Sequence, residues 1–192
     1  MRSTPVFATA AVLALAAAGC VNSQVRAARE ASEAGAAPVS ASSAGTTARA
    51  DLCDLQGALV GTASLQQTPH GVLLTAEIAN LPPGTHAIHF HAVGRCEPPF
   101  ATAGAHFNPS SRQHGFRNEM GAHAGDLPNV HVPSSGATRI DHMARDVSLG
   151  TTGNGLLDAD GTAIVVHALA DDYRTDPSGA SGDRIACGVV AR

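Results

Sequence analysis

Short apolar runs broken by turn-forming residues constrain this chain more than any other feature. "GALVGTASL", "GVLLTAEIANLPPG", "THAIHFHAVG", "GTAIVVHALADD" and "RIACGVV" carry β-branched residues and are bounded by Gly, Pro, Asn or Asp. They have the length of strands, and helical periodicity is weak. The pattern predicts an antiparallel all-β sandwich or barrel. Of the 192 residues, 44% are hydrophobic and only 15% charged, which suits one globular domain with extensions. The formal charge is −4 and lysine is absent, so no basic stripe exists to hold nucleic acid.

The N-terminal region has a different character. Arg2 precedes an apolar run, Val6 to Ala18, that is too short to span a bilayer as a mature helix. It ends in "AAAGC", which predicts an export signal over residues 1–20 with Cys20 as a lipidated first residue. Ala17 stands where such a lipobox usually has Leu. Cleavage after the Ala16-Ala17-Ala18 run instead gives a soluble exported protein, so both alternatives place the chain outside the cytoplasm. Residues 21–50 are mostly Ala, Ser, Gly and Thr and read as a flexible tether. The domain is expected over 51–192, where 8 Arg against 14 Asp and Glu give 8 − 14 = −6.

From Ala92 to Pro133 the sequence is rich in Gly, Pro and His and shows no convincing strand. A loop of that length inside a compact domain calls for a function or a staple. Beside it, "THAIHFHAVG" reads as a strand. Alternation would place His86, Ile88 and Phe90 on the core side and His89 and His91 together on the other, roughly 6–7 Å apart. Two imidazoles at that spacing converge readily on one metal ion, although an isolated H-x-H is more often a pair of surface histidines. His86, on the core side, is expected to be a hydrogen-bonded structural residue. Within the loop, His106, His114, His123 and Asp126 supply three imidazoles and a carboxylate, a set suited to tetrahedral zinc. Such a site would order a loop that lacks secondary structure of its own.

Five motifs, "HAIHFH", "AHFNPSSRQHG", "GAHAGDLPN", "VVHALADDY" and "SGDRIACGVV", together resemble bacterial copper/zinc superoxide dismutases from about Asp51 to Arg192. The resemblance implies a Greek-key β-sandwich or barrel, immunoglobulin-like, with long metal-binding and active-site loops. It implies copper ligands His89, His91, His106 and His167, and zinc ligands His106, His114, His123 and Asp126. His106 would then bridge the metals. Asp171 would link His89 to His114, and Arg184 would stand beside the copper and hold the anion. The implied chemistry is dismutation. One superoxide reduces Cu(II) and leaves as oxygen; a second oxidises Cu(I) and leaves as hydrogen peroxide, with His106 supplying a proton. The resemblance also implies a Cys96–Cys187 disulfide, which leaves Cys53 in the first strand as a buried free thiol.

Eukaryotic relatives carry charged residues after the last copper histidine, where this chain has Ala168 and Leu169, so steering would fall to Arg184, Arg174 or the zinc loop. The implied setting is the periplasm or cell envelope, with membrane contact only through a lipid on Cys20. Members of the family include monomers, and a homodimer is the other state the resemblance allows. The competing function is an exported copper/zinc buffer without turnover, which needs neither a bridging His106 nor Arg184. A third alternative is an adhesive sandwich that metals only stabilise. His70, His131 and His142 lie outside the motifs and are expected at the surface.

Overall fold

The computed structural model describes residues 45–192. The strands are β1 (Thr47–Asp54), β2 (Leu59–Thr68), β3 (Gly71–Ile78), β4 (Gly84–His86), β5 (Ile88–His91), β6 (Val130–Val132), β7 (Thr138–Ala144), β8 (Ala163–His167) and β9 (Arg184–Val189). Seven form one curled antiparallel sheet in the order β5-β8-β9-β1-β2-β3-β7, while β4 pairs with β6. The chain leaves β3 near one end of that order and re-enters at β5 at the other. It returns to β7 beside β3, then crosses again to β8 beside β5. Crossing connections of this kind make a Greek key.

Alternation builds the core. In β1, Ala48, Ala50 and Leu52 are buried while Thr47, Arg49 and Asp51 face water. β8 is buried at all five positions because both of its faces are covered. Ile164 and Val166 join the main core, and Ala163 and Val165 pack under Phe100, Ala103 and Cys187. β5 follows the same plan: Ile88 and Phe90 enter the main core, so His89 and His91 lie on the opposite face. That face is outside the sheet but not in solvent, because the 92–133 segment folds over it. The backbone of Phe90 donates to Gly125 O at 2.9 Å and accepts from Phe107 N at 2.8 Å. A Cβ on Gly125 would lie 2.5 Å from Phe90 O, so only glycine permits this approach.

Several sequence expectations are corrected. The first strand begins at Thr47, so residues 47–50 belong to the domain rather than to the tether. The export signal, Cys20 and residues 21–44 of the tether lie outside the described residues. The 92–133 segment is not wholly irregular: it contains a 3-10 turn at Ala101–Ala103 and β6. "THAIHFH" is not one strand. It breaks at Ala87, and β4 pairs with β6 while β5 pairs with β8. β7 escapes a sequence reading because only Ile140 and Ala144 are buried, with Arg139 and Asp141 exposed at the edge of the sheet. His70 and His131 are exposed, whereas His142 is half-buried. Among the described residues no helix is long and apolar enough to cross a membrane.

Phe90 is fully buried directly beneath the two histidines of β5. Phe90→Ala is expected to cost about 3–5 kcal/mol in urea denaturation of the metal-free protein. A loss under about 1 kcal/mol would show that this face of β5 is not core.

Candidate metal centre

Three segments bring the site together. β5 offers His89 and His91, the folded-over segment offers His106, His114, His123 and Asp126, and the end of β8 offers His167. All of these side chains are buried. Backbone pairing holds the segments in register: His91 opposes His106, His89 opposes Asp126, and His167 opposes Arg184 on β9. The donor atoms fall into two sets, His89–His91–His106–His167 and His106–His114–His123–Asp126, each with its atoms within 4.8 Å of one another. His106 belongs to both.

Hydrogen bonds decide which nitrogen of each ring is free. Asp171 Oδ2 accepts from His89 Nε2 at 2.9 Å, and its Oδ1 accepts from His114 Nε2 at 2.9 Å. A carboxylate only accepts, so both Nε2 atoms carry hydrogen. His91 Nδ1 donates to Gly104 O at 2.9 Å, and His167 Nδ1 donates to Gly182 O at 3.2 Å. Lone pairs are therefore left on His89 Nδ1, His91 Nε2 and His167 Nε2. The last two face each other at 3.4 Å. His89 Nδ1 and His106 Nε2 are buried without any partner. An orphaned buried nitrogen is costly, and two of them beside two more lone pairs fit an imidazole-bound ion such as copper.

Four of the six edges of the second set have the length that a tetrahedral site requires. Asp126 Oδ1 lies 3.1 Å from His106 Nδ1, 3.0 Å from His114 Nδ1 and 3.4 Å from His123 Nδ1, and His123 Nδ1 lies 3.3 Å from His106 Nδ1. Ligands about 2.0–2.1 Å from a tetrahedral zinc ion stand about 3.3 Å apart. The other carboxylate oxygen, Oδ2, accepts from Gly115 N at 2.9 Å and His123 N at 3.0 Å, which fixes the group's orientation.

Charge follows the same division. Burial pushes His91 down to about 2, with the neighbouring His106 adding to the effect. It also pushes His167 down to about 3 and His106 to about 4, against the pull of Asp126 in the latter case. Burial lowers His89 as well, outweighing its hydrogen bond to Asp171. These imidazoles are neutral near pH 7, the state a metal requires. His114 is the exception: burial opposes its charge, but hydrogen bonds to Asp126 and Asp171 raise it to about 9. Burial likewise disfavours charge on Asp126 and Asp171, yet their histidine partners hold both well below the usual carboxylate range.

Arg184 forms the rim. It is half-buried, donates from Nη1 to Phe100 O at 2.6 Å and from Nη2 to Gly104 O at 2.7 Å, and its charge reaches His91 and His167. Gly104 O thus receives both Arg184 and His91. The Cys96–Cys187 disulfide ties this part of the loop to β9 across a sequence separation of 91, with 5.6 Å between the Cα atoms. Closing so long a loop contributes about 4–5 kcal/mol in the chain-entropy model. Cys53 is also disulfide-bonded, contrary to the expected free thiol. Leu169 is exposed where the sequence lacks a steering charge, and Arg174 is exposed as well.

The implied metal ligands and Asp171 therefore lie in one buried centre, Arg184 stands at its rim, and the disulfide ties that rim to β9. The sequence pointed to neither Asn129 nor Tyr173 as a site residue, although both touch Asp171. Their motifs, "GAHAGDLPN" and "VVHALADDY", contained them without showing a contact between segments.

A β-sandwich that buries two adjoining donor sets around a shared imidazole defines a protein built for two metal ions. The family model for copper/zinc superoxide dismutase (SODC) matches residues 59–190. Superoxide dismutase [Cu-Zn] 1 of Aquifex aeolicus is 45% identical over 144 residues, covering 73% of this chain and 85% of that protein. An extracellular Cu-Zn superoxide dismutase of Haemonchus contortus is 36% identical over 137 residues, covering 68% of this chain and 73% of its own length. Among solved structures, a double mutant of a SOD-like protein from Bacillus subtilis superposes with a TM-score of 0.72 at 40% identity, covering 75% of this chain and 97% of that one. The chain belongs to the copper/zinc superoxide dismutase family. It is an oxidoreductase that acts on superoxide with copper and zinc as cofactors.

The pKa shifts give the metal-free protein a stability maximum. His91, His106 and His167 are lowered from 6.5, so the unfolded chain binds more protons below pH 6.5 and stability falls with falling pH. His114 is raised to about 9, so its contribution is complete below pH 6.5 and disappears as pH rises through 9. The denaturation midpoint of metal-free protein should be highest at about pH 6–7 and lower at about pH 5 and about pH 10. A midpoint that keeps rising to about pH 10 would show that His114 is not held protonated.

Proposed function

We propose that His89 Nδ1, His91 Nε2, His106 Nε2 and His167 Nε2 bind copper, and that His106 Nδ1, His114 Nδ1, His123 Nδ1 and Asp126 Oδ1 bind zinc. The observation that carries this assignment is the double membership of His106, whose Nδ1 lies in one set while its Nε2 is buried without a partner in the other. When bound, copper supplies one-electron exchange with superoxide, and redox-silent zinc supplies charge and shape.

The chain's own residues do the rest. Arg184 holds the substrate: of its five N–H donors two are committed to Phe100 O and Gly104 O, leaving three for an anion. Those two bonds fix the guanidinium before the anion arrives, so little reorganisation is needed. His106 Nε2 takes up a proton when it is free of metal and returns it to the peroxide product. Asp171 keeps Nε2 of His89 and His114 protonated and directs both Nδ1 atoms to the metals. A buffer protein has no use for an anchored arginine beside the first set, and this favours turnover over storage.

Export fits the Cys96–Cys187 disulfide, since such bonds persist in oxidising compartments. The apolar run that ends at Cys20 supports a finer reading, delivery to the periplasm or cell envelope.

The domain's net negative charge repels superoxide at long range. A cavity of about 620 Å³ beside His106 and His123 adds Asp158, Asp160 and Asp176 against Arg112, so the favourable approach for an anion is at Arg184. Arg184→Ala should lower the superoxide rate constant about ten- to a hundredfold, the value of a charged hydrogen bond. Arg184→Lys should lose less, because charge survives without the planar fork, and Arg184→Glu should lose more. Added salt should slow the native enzyme more than Arg184→Ala. The test is the rate constant of all four proteins at two ionic strengths, normalised to measured copper. Equal rates at equal copper would refute the role given to Arg184.

A further inference from the structure

We infer that Tyr173 is a positioning residue that holds the Asp171 carboxylate across His89 and His114, and so sets the alignment of both metal sets. Asp171 faces a demanding task. One rotatable carboxylate has to accept from two imidazoles on different segments, and a small turn of the group would break one bond or the other. Its backbone is gripped by the Asn129 side chain, which donates from Nδ2 to Asp171 O at 2.9 Å and accepts from Asp171 N at Oδ1 at 2.8 Å. Asn129 is itself anchored, because its backbone N–H donates to the Tyr173 hydroxyl at 2.6 Å. The Tyr173 backbone N–H then donates to Asp171 Oδ1 at 2.6 Å. Tyr173 hydroxyl, Asn129, Asp171 and Tyr173 N–H form a closed ring of hydrogen bonds that begins and ends on one residue.

The conformation of Tyr173 agrees with such a role. Its φ of 62° is in the left-handed region, uncommon for a bulky residue and sustained only where neighbours impose it. The neighbours are visible. Tyr173 O accepts from Arg117 N at 2.8 Å, and the ring lies 5.5 Å from Phe116 with the Arg117 guanidinium 5.7 Å from its centre. Gly179 closes the far side, since a Cβ there would fall on Asp171 Oδ1. Phe116 and Arg117 belong to the same segment as His114, so Tyr173 joins the 168–183 loop to that segment at the point where Asp171 joins their histidines.

The inference rests on the assignment of metals above, and the experiment separates the two. Zinc and copper binding are measured by competition with a chelator of known affinity, and the bound copper is followed by its visible spectrum. Native protein and Asp126→Ala come first; if Asp126→Ala binds zinc as the native protein does, the assignment of the zinc set fails, whatever Tyr173 does. Tyr173→Phe keeps the ring against Phe116 and Arg117 and removes only the hydroxyl. It should weaken zinc binding about tenfold, the low end for a partner that orients a ligand, and shift the copper spectrum through His89. Asn129→Ala should act in the same direction. The double variant should be no weaker than the poorer single one, because both act through Asp171. A Tyr173→Phe protein that is less heat-stable but has native zinc affinity and a native copper spectrum would overturn the inference, as would additive losses in the double variant.

Discussion

Six imidazoles and two carboxylates are shut away from water on the outer face of the sheet, between β5, β8 and the segment folded over them. Burying so many polar groups is unfavourable unless each finds a partner. Most do. Asp171 takes one nitrogen from each of two histidines, Gly104 and Gly182 take one each from His91 and His167, and Asp126 gathers three imidazoles. What remains unpaired points to common centres, and His89 Nδ1 and His106 Nε2 are left with nothing. Metal binding is the remaining term that makes this arrangement favourable.

The rim is built from the same material. Cys187 and Arg184 lie on β9, and both reach the segment between Phe100 and Gly104 or its neighbour Cys96. The disulfide restricts that segment covalently, and the guanidinium restricts it through two carbonyls. Because Gly104 O also receives His91, a shift of the rim is felt by a histidine of the first set. With Arg184 in its proposed role, substrate attraction and ligand geometry are coupled at this site through Gly104 O. Ala168 and Leu169 contribute no charge beside them.

Much of this was legible in the sequence, for definite reasons. Apolar runs between turn residues expose β2 and β3, alternation separates the two faces of β5, and β8 stands out as an apolar run because both of its faces are covered. H-x-H on a strand and three histidines with an aspartate in a Gly-rich segment announce metal chemistry, since residue type and spacing carry it. Other features depend on contacts between distant segments and leave no local trace. β7 shows charges at alternate positions and only two buried residues, so it resembles a loop. The break at Ala87 follows from β6 pairing with β4, a partner more than forty positions away. Tyr173 and Asn129 read as ordinary turn residues until the fold brings them to Asp171. Cys53 looked spare because pairing is a matter of proximity and not of sequence.

In the proposed assignment the His106 ring stands between two metal ions. Anomalous diffraction from crystals of the loaded protein, recorded on either side of the copper and zinc edges, tests it directly. Two peaks are expected, on opposite sides of the His106 ring. Copper should lie about 2 Å from Nε2 and close to His89, His91 and His167, and zinc about 2 Å from Nδ1 and close to His114, His123 and Asp126. Both metals in a single set, or a His106 ring in contact with only one of them, would contradict it.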